Sequence, residues 1–211
     1  MVNEPPTPAA LHQQVLSTWD GGDLWLFAYA SLIWRPEFEA DEQRTATIYG
    51  CHRALRMRSR IDRGTAQRPG LVFALLRGGS CAGVAYRIAA ARAASIFDQV
   101  WEREMPTLVY TPRWLNCRTS AGPVRALTFT LERDNPSFTG RLDDAALLDI
   151  LRHARGRYGT TLDYLVDTAR CLRQRGIRDS EVERMVQLAH RHGLLAASPS
   201  VHGGAVECAL G

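Results

Sequence analysis

Two carboxylates near the middle of the chain, Glu102 and Glu104, stand where proton-transfer chemistry could be done. They belong to Ala89–Met105, a segment with apolar residues at helical spacing that Pro106 brings to an end. At about 100° per residue, Phe97 and Glu104 fall within roughly 20° of each other around such a helix. Val100 and Trp101 share that face. Glu104 is therefore expected on the inward stripe and Glu102 nearly opposite, toward solvent or an arginine. Burial disfavours the charged form of a carboxylate, and the negative potential of a helix C-terminus acts in the same direction. A group so placed suits a general base working near neutral pH. A glutamate tied to an arginine inside the fold produces the same pattern, and the helix alone does not separate the two.

A second stretch could present backbone donors to a ligand. Leu24–Trp34 begins as an uncharged apolar and aromatic run, which reads as a buried strand. It breaks at Tyr29-Ala30-Ser31-Leu32, and Arg35-Pro36 follows, where the residue before proline is pushed out of the α region. Small residues after a buried strand let the chain approach a ligand and aim successive N–H groups at an anion. An ordinary core strand with an ordinary turn fits the same residues.

Other stretches share an order and spacing with these. They are Gly50-Cys51-His52-Arg53, Asp62-Arg63-Gly64-Thr65, Arg77–Ile88, Trp101–Tyr110 and Asp163-Tyr164-Leu165. Together with Tyr29–Leu32 they resemble the ChaC family of γ-glutamylcyclotransferases, over about Leu24 to Gly193. The family's opening motif is Tyr-Gly-Ser-Leu, so Ala30 is a departure that adds a methyl and penalises any positive φ.

The resemblance implies an α+β fold, a small mixed β-barrel flanked by helices. It implies a glutathione-specific enzyme that releases 5-oxoproline and Cys-Gly without metal or cofactor. Arg103-Glu104 matches the family's catalytic glutamate, and Tyr29, Ala30, Ser31 and Leu32 match the loop that holds the γ-glutamyl α-carboxylate. Tyr164 matches a family tyrosine, and Tyr110 follows the catalytic helix closely; either phenol could bond the γ-glutamyl group or simply fill the core. Another γ-glutamyl amine or dipeptide as substrate, and a non-catalytic binding protein on the same scaffold, are the alternatives.

The elements that must position these residues follow in chain order. A helix is expected over Leu11–Trp19, then the core strand, then an acidic surface loop over Pro36–Arg44. Strands are expected at Thr45–Tyr49, Ala54–Arg58, Leu71–Leu76 and Cys81–Ile88, with Gly78-Gly79-Ser80 as a hairpin turn. Arg113–Cys117 and Val124–Leu131 read as strands. The last third is helical: Asp144–Tyr158, Leu162–Arg175 capped by Thr161, and a third helix to His192 with Ser180 and Glu183 as a capping box. Strands first and helices last give α+β rather than βαβ winding.

At 211 residues the chain fits one domain, with residues 1–9 and 196–211 expected to be flexible. No stretch is long and apolar enough for a bilayer and no secretory pattern opens the chain, which implies the cytoplasm. Five scattered cysteines without a Cys-x-x-Cys argue against disulfides and zinc, and the six histidines form no ligand spacing. All 26 basic residues are arginine, which excludes lysine Schiff-base chemistry. The densest basic run, Arg53 to Arg68, lacks a nucleic-acid recognition signature. One of its arginines suits a substrate carboxylate, with no means of choosing which. The expected partner is a small molecule, bound by a monomer or homodimer, with no nucleic acid or membrane.

Overall fold

The structure, a computed structural model, describes residues 7–195. The uncharged run forms β1 (Leu24–Ala28), buried except at Trp25. β2 (Glu42–Ser59) and β3 (Gly70–Ile88) form a long antiparallel ladder. β4 (Thr111–Thr119) and β5 (Gly122–Thr130) form a hairpin. The order β1-β3-β2-β4-β5 closes into a barrel through a parallel pairing of Leu26 in β1 with Leu127 in β5. Phe27 and Phe73 fill it at 1 % exposure, and burying such a side chain contributes about 1.5–3 kcal/mol.

Helices cover the barrel. α1 is Pro8–Ser17, α2 is the single turn Ser31–Trp34 that follows β1, and α3 is Ala90–Glu104. α4 (Asp144–His153), α5 (Thr161–Gln174) and α6 (Ser180–Arg191) close the chain, with a small hairpin of β6 (Arg155–Gly156) and β7 (Gly159–Thr160) between the first two. The α+β barrel with flanking helices is thus observed. Among the described residues no helix is long and apolar enough to cross a membrane.

Several boundaries differ from expectation for local reasons. Thr7 caps α1 through the Ala10 N–H and Pro8 occupies its first turn, where its missing donor costs nothing. Residues 7–9 thus belong to a helix start. The other terminal residues expected to be flexible, 1–6 and 196–211, lie outside the described residues. Glu42–Arg44, expected in a loop, belong to β2. Gly78 and Gly79 make no hairpin turn; both have positive φ and sit opposite Gly50 in a ladder irregularity inside the continuous β2–β3 pair. α4 stops at His153, because Arg155–Thr160 turns back as a hairpin. α5 is capped by Thr160, not Thr161, in a capping box with Asp163. α6 is capped by Asp179, not by a Ser180–Glu183 box.

Candidate active site

α3 presents its carboxylates as helical geometry requires. Phe97, Val100 and Trp101 are buried against the barrel, and Glu102 is exposed. The Glu104 side chain keeps 15 % of its exposure at the inner edge of the helix end. Burial raises its pKa, the Arg103 guanidinium 3.2 Å away opposes this, and the charges of Asp62 and Glu37 add to the rise. Arg103 fastens this helix end to the chain after β1. It donates to the carbonyls of Arg35 and Pro36 at 2.5 and 3.2 Å, to Glu37 Oε2 at 3.0 Å and to Ser31 Oγ at 3.5 Å. Glu104 is therefore paired with an arginine, but with one shared among several acceptors.

The Tyr29–Leu32 turn lies at the start of α2. Tyr29, Ala30 and Leu32 are buried and Ser31 is half-buried. Ile33 N–H donates to the Ala30 carbonyl at 2.8 Å, and the N–H groups that open the turn have no acceptor within it. Ala30 has φ −143°, so the alanine carries no left-handed penalty. Ala30→Gly is accordingly expected to leave turnover unchanged. It should cost roughly 0.5–1 kcal/mol of stability through a freer unfolded chain. Rate and melting temperature check this, and a large change in rate would contradict it.

Three tyrosines lie near enough to Glu104 for its charge to act on them. Burial raises the pKa of Tyr29 well above its ordinary value and the Glu104 charge raises it further, while the neighbouring Tyr110 hydroxyl opposes the rise. Tyr110 shifts the same way, first by burial and then by the charges of Tyr29 and Glu104. Tyr164, on α5, is buried, and its hydroxyl accepts from Phe73 N–H at 3.2 Å, which leaves its own proton to donate. Burial raises its pKa too, with the Glu104 charge contributing. The structure thus gathers Tyr29, Tyr110 and Tyr164 with Glu104, and Ala30, Ser31 and Leu32 follow directly in the chain.

Two arginines of the basic run complete the surroundings. Arg63 is 7 % exposed, stacks 5.1 Å from the Tyr164 ring centroid and 5.9 Å from that of Trp34, and donates to the Tyr158 carbonyl at 2.5 Å. Among the described residues it forms no ion pair, and burial lowers its pKa. Its loop closes on itself: a side chain at Gly64 would meet Gly70 N, and one at Gly70 would meet the Arg63 carbonyl. Arg53 is fully buried beneath the Tyr29 turn. Arg56 pairs with Glu181 at 3.6 Å, and His52 bonds the Gly78 carbonyl at 2.8 Å beside the ladder irregularity. Sequence reasoning did not single out Arg63, Arg53, Asp62 or Glu37. Arg53 and Arg63 stood inside motifs that could have flagged them, whereas nothing local marks Glu37.

Cys51, Cys81 and Cys117 are free and buried, and Cys171 is buried with its thiol on the Ile33 carbonyl at 3.9 Å. Burial pushes the Cys81 and Cys117 thiols up to about 11 and about 12, which suits inert core residues. No group of His, Cys, Asp and Glu able to hold a metal occurs among the described residues.

Comparison with known proteins finds relatives of this chain. The family model of ChaC-like proteins matches residues 24–192. A glutathione-specific γ-glutamylcyclotransferase of Escherichia coli (strain K12) is 34 % identical over 161 residues, covering 76 % of this chain and 70 % of that protein. One of Schizosaccharomyces pombe is 31 % identical over 172 residues, covering 72 % of this chain and 84 % of that protein. Among solved structures, a yeast γ-glutamyl cyclotransferase specific to glutathione superposes with a TM-score of 0.74 at 18 % identity. The match covers 81 % of this chain and 97 % of that one, a likeness of fold.

Proposed function

Because this chain belongs to the ChaC-like family, we propose that it is a glutathione-specific γ-glutamylcyclotransferase in which Glu104 moves the protons. The observation that carries the mechanism is Glu104 itself. It is mostly buried, its pKa is raised, its charge acts on three tyrosines, and Arg103 links it to Ser31 of the Tyr29–Leu32 turn.

The substrate's α-carboxylate binds the N–H groups that open α2. Glu104 takes a proton from the α-ammonium group, and the freed amine attacks its own γ-carbonyl carbon. A five-membered ring closes as the new C–N bond forms. The ring nitrogen gives up its excess proton, and the departing cysteinyl nitrogen gains two protons through Glu104 and leaves as an ammonium group, so the carboxylate ends ionised as it began. The old C–N bond breaks, leaving 5-oxoproline and Cys-Gly. Attack is intramolecular, so holding the amine against the carbonyl supplies much of the rate. Tyr164, whose hydroxyl proton is available, donates to the γ-carbonyl oxygen as charge develops there. Arg63, a buried cation without an ion-pair partner among the described residues, meets the glycyl carboxylate.

The reaction needs Glu104 ionised to begin, so its raised pKa sets the acidic limb of the rate profile above the ordinary carboxylate range. Glu37→Gln removes a charge that raises this pKa and frees Arg103 from one of its acceptors. Both changes favour ionised Glu104. The variant's acidic limb in kcat/KM for 5-oxoproline release should move to lower pH. A limb that stays in place or moves upward would show that another group controls it.

A further inference from the structure

Arg53 lies beneath the turn that the substrate carboxylate is proposed to occupy. Its side chain is fully buried. Nε donates to the Tyr29 carbonyl, Nη2 to the Ala82 carbonyl at 2.6 Å, and Nη1 to Asp179 Oδ2 at 2.5 Å. Asp179 is itself fixed, because its other oxygen caps α6 by accepting from Val182 N–H at 3.1 Å. The guanidinium is thus tied to β3, to the start of α6 and to the turn.

The contact with Tyr29 sets the direction of a donor. A trans peptide is planar, and its C=O and N–H point opposite ways. The described residues contain no cis bond, so drawing the Tyr29 oxygen toward Arg53 turns the Ala30 N–H away from it. The next peptide is held as well, by Ile33 N–H on the Ala30 carbonyl. A cation on the carbonyl also polarises the amide and makes its N–H a stronger donor. Asp179 keeps the cation in place through its bond to Nη1.

We propose that Arg53 is a positioning residue for the γ-glutamyl α-carboxylate: by holding the Tyr29 carbonyl it aims the Ala30 N–H at that carboxylate, with Asp179 as its anchor. The proposal rests on the reading of the turn as the α-carboxylate site. It makes the start of α6, far along the chain, part of substrate recognition.

The test compares two ligands in the Glu104→Gln background, where binding is read without turnover. One is glutathione; the other is its analogue with γ-aminobutyrate in place of the γ-glutamyl residue, which replaces the α-carboxylate with hydrogen. Arg53→Lys keeps a charge but loses the fixed fork of donors. Its Kd for glutathione should rise about tenfold or more, the loss expected for a misaimed charged hydrogen bond, while its Kd for the analogue stays put. Asp179→Asn retains a capping side chain and removes the anchoring charge, so it should show the same selective loss, smaller in size. Parallel loss for both ligands, or no loss in a folded variant, would overturn the proposal. So would failure of both variants to fold, since the pair would then be a structural tie. If the parent background itself binds the two ligands equally, the turn is not the carboxylate site, and the failure lies with that underlying reading.

Discussion

Glu104→Gln is expected to lower 5-oxoproline release by at least about 10²–10⁴-fold, the usual range for loss of a general base, while Glu102→Gln stays near the parent rate. Glutamine keeps the shape and can still accept from Arg103, but it cannot take a proton. One group serves both proton transfers in the proposed reaction, so the upper end or beyond is expected. Glutathione binding should survive, because the turn that holds the α-carboxylate is untouched. Stability separates this role from a structural ion pair. The folded state raises the Glu104 pKa chiefly by burial, so it binds a proton that the unfolded chain has lost, and stability falls as pH rises through that interval. Glu104→Gln should therefore melt at or above the parent temperature at pH 7. The advantage should vanish below the ordinary carboxylate range, where parent Glu104 is also neutral. A structural partner would behave oppositely, with the variant melting lower and activity following the folded fraction.

Arg63→Lys should raise KM for glutathione about tenfold or more and change kcat less. Arginine's planar fork matches a carboxylate and stacks on aromatic rings, and an ammonium does neither. The site makes the difference large, since Arg63 is buried between Trp34 and Tyr164 and no ion pair with a described residue competes for its charge. Asp163, Asp167 and Asp62 stand near enough to stabilise the cation when no substrate is bound. A γ-glutamyl substrate that lacks the glycyl carboxylate should show little change in KM. Equal losses for both substrates would place Arg63 in the framework of the fold. Arg63→Ala should also melt lower, because the stacking and the bond to Tyr158 disappear, at a cost of order 2 kcal/mol.

The direction of Glu104 was legible in the sequence, because one helical period fixes which residues share a face, and Phe97, Val100 and Trp101 marked the buried one. The barrel strands were legible for a related reason, as apolar runs of the right length. Their extent was not. Gly50, Gly78 and Gly79 read as breaks, yet within a paired ladder they are absorbed as an irregularity and the strands run on. Arg53 and Arg63 show the deeper limit. Strict alternation along β2 would set Arg53 opposite to Arg56 and Arg58, but the ladder shifts between Leu55 and Met57. Their partners are also remote: Asp179 lies 126 residues from Arg53, and Tyr158 lies 95 from Arg63. No local pattern encodes such pairs. The consequence of Ala30 likewise depended on a backbone angle, and its negative φ removes the penalty that the residue change suggested.

The most direct measurement is product analysis of the purified protein incubated with glutathione, quantifying 5-oxoproline, glutamate and Cys-Gly together. Intramolecular attack by the α-amine predicts 5-oxoproline and Cys-Gly in equal amounts with no glutamate. Glutamate in place of 5-oxoproline would mean that water rather than the substrate's own amine attacks the γ-carbonyl. That result, or a folded protein that leaves glutathione intact, would contradict the function proposed for this chain.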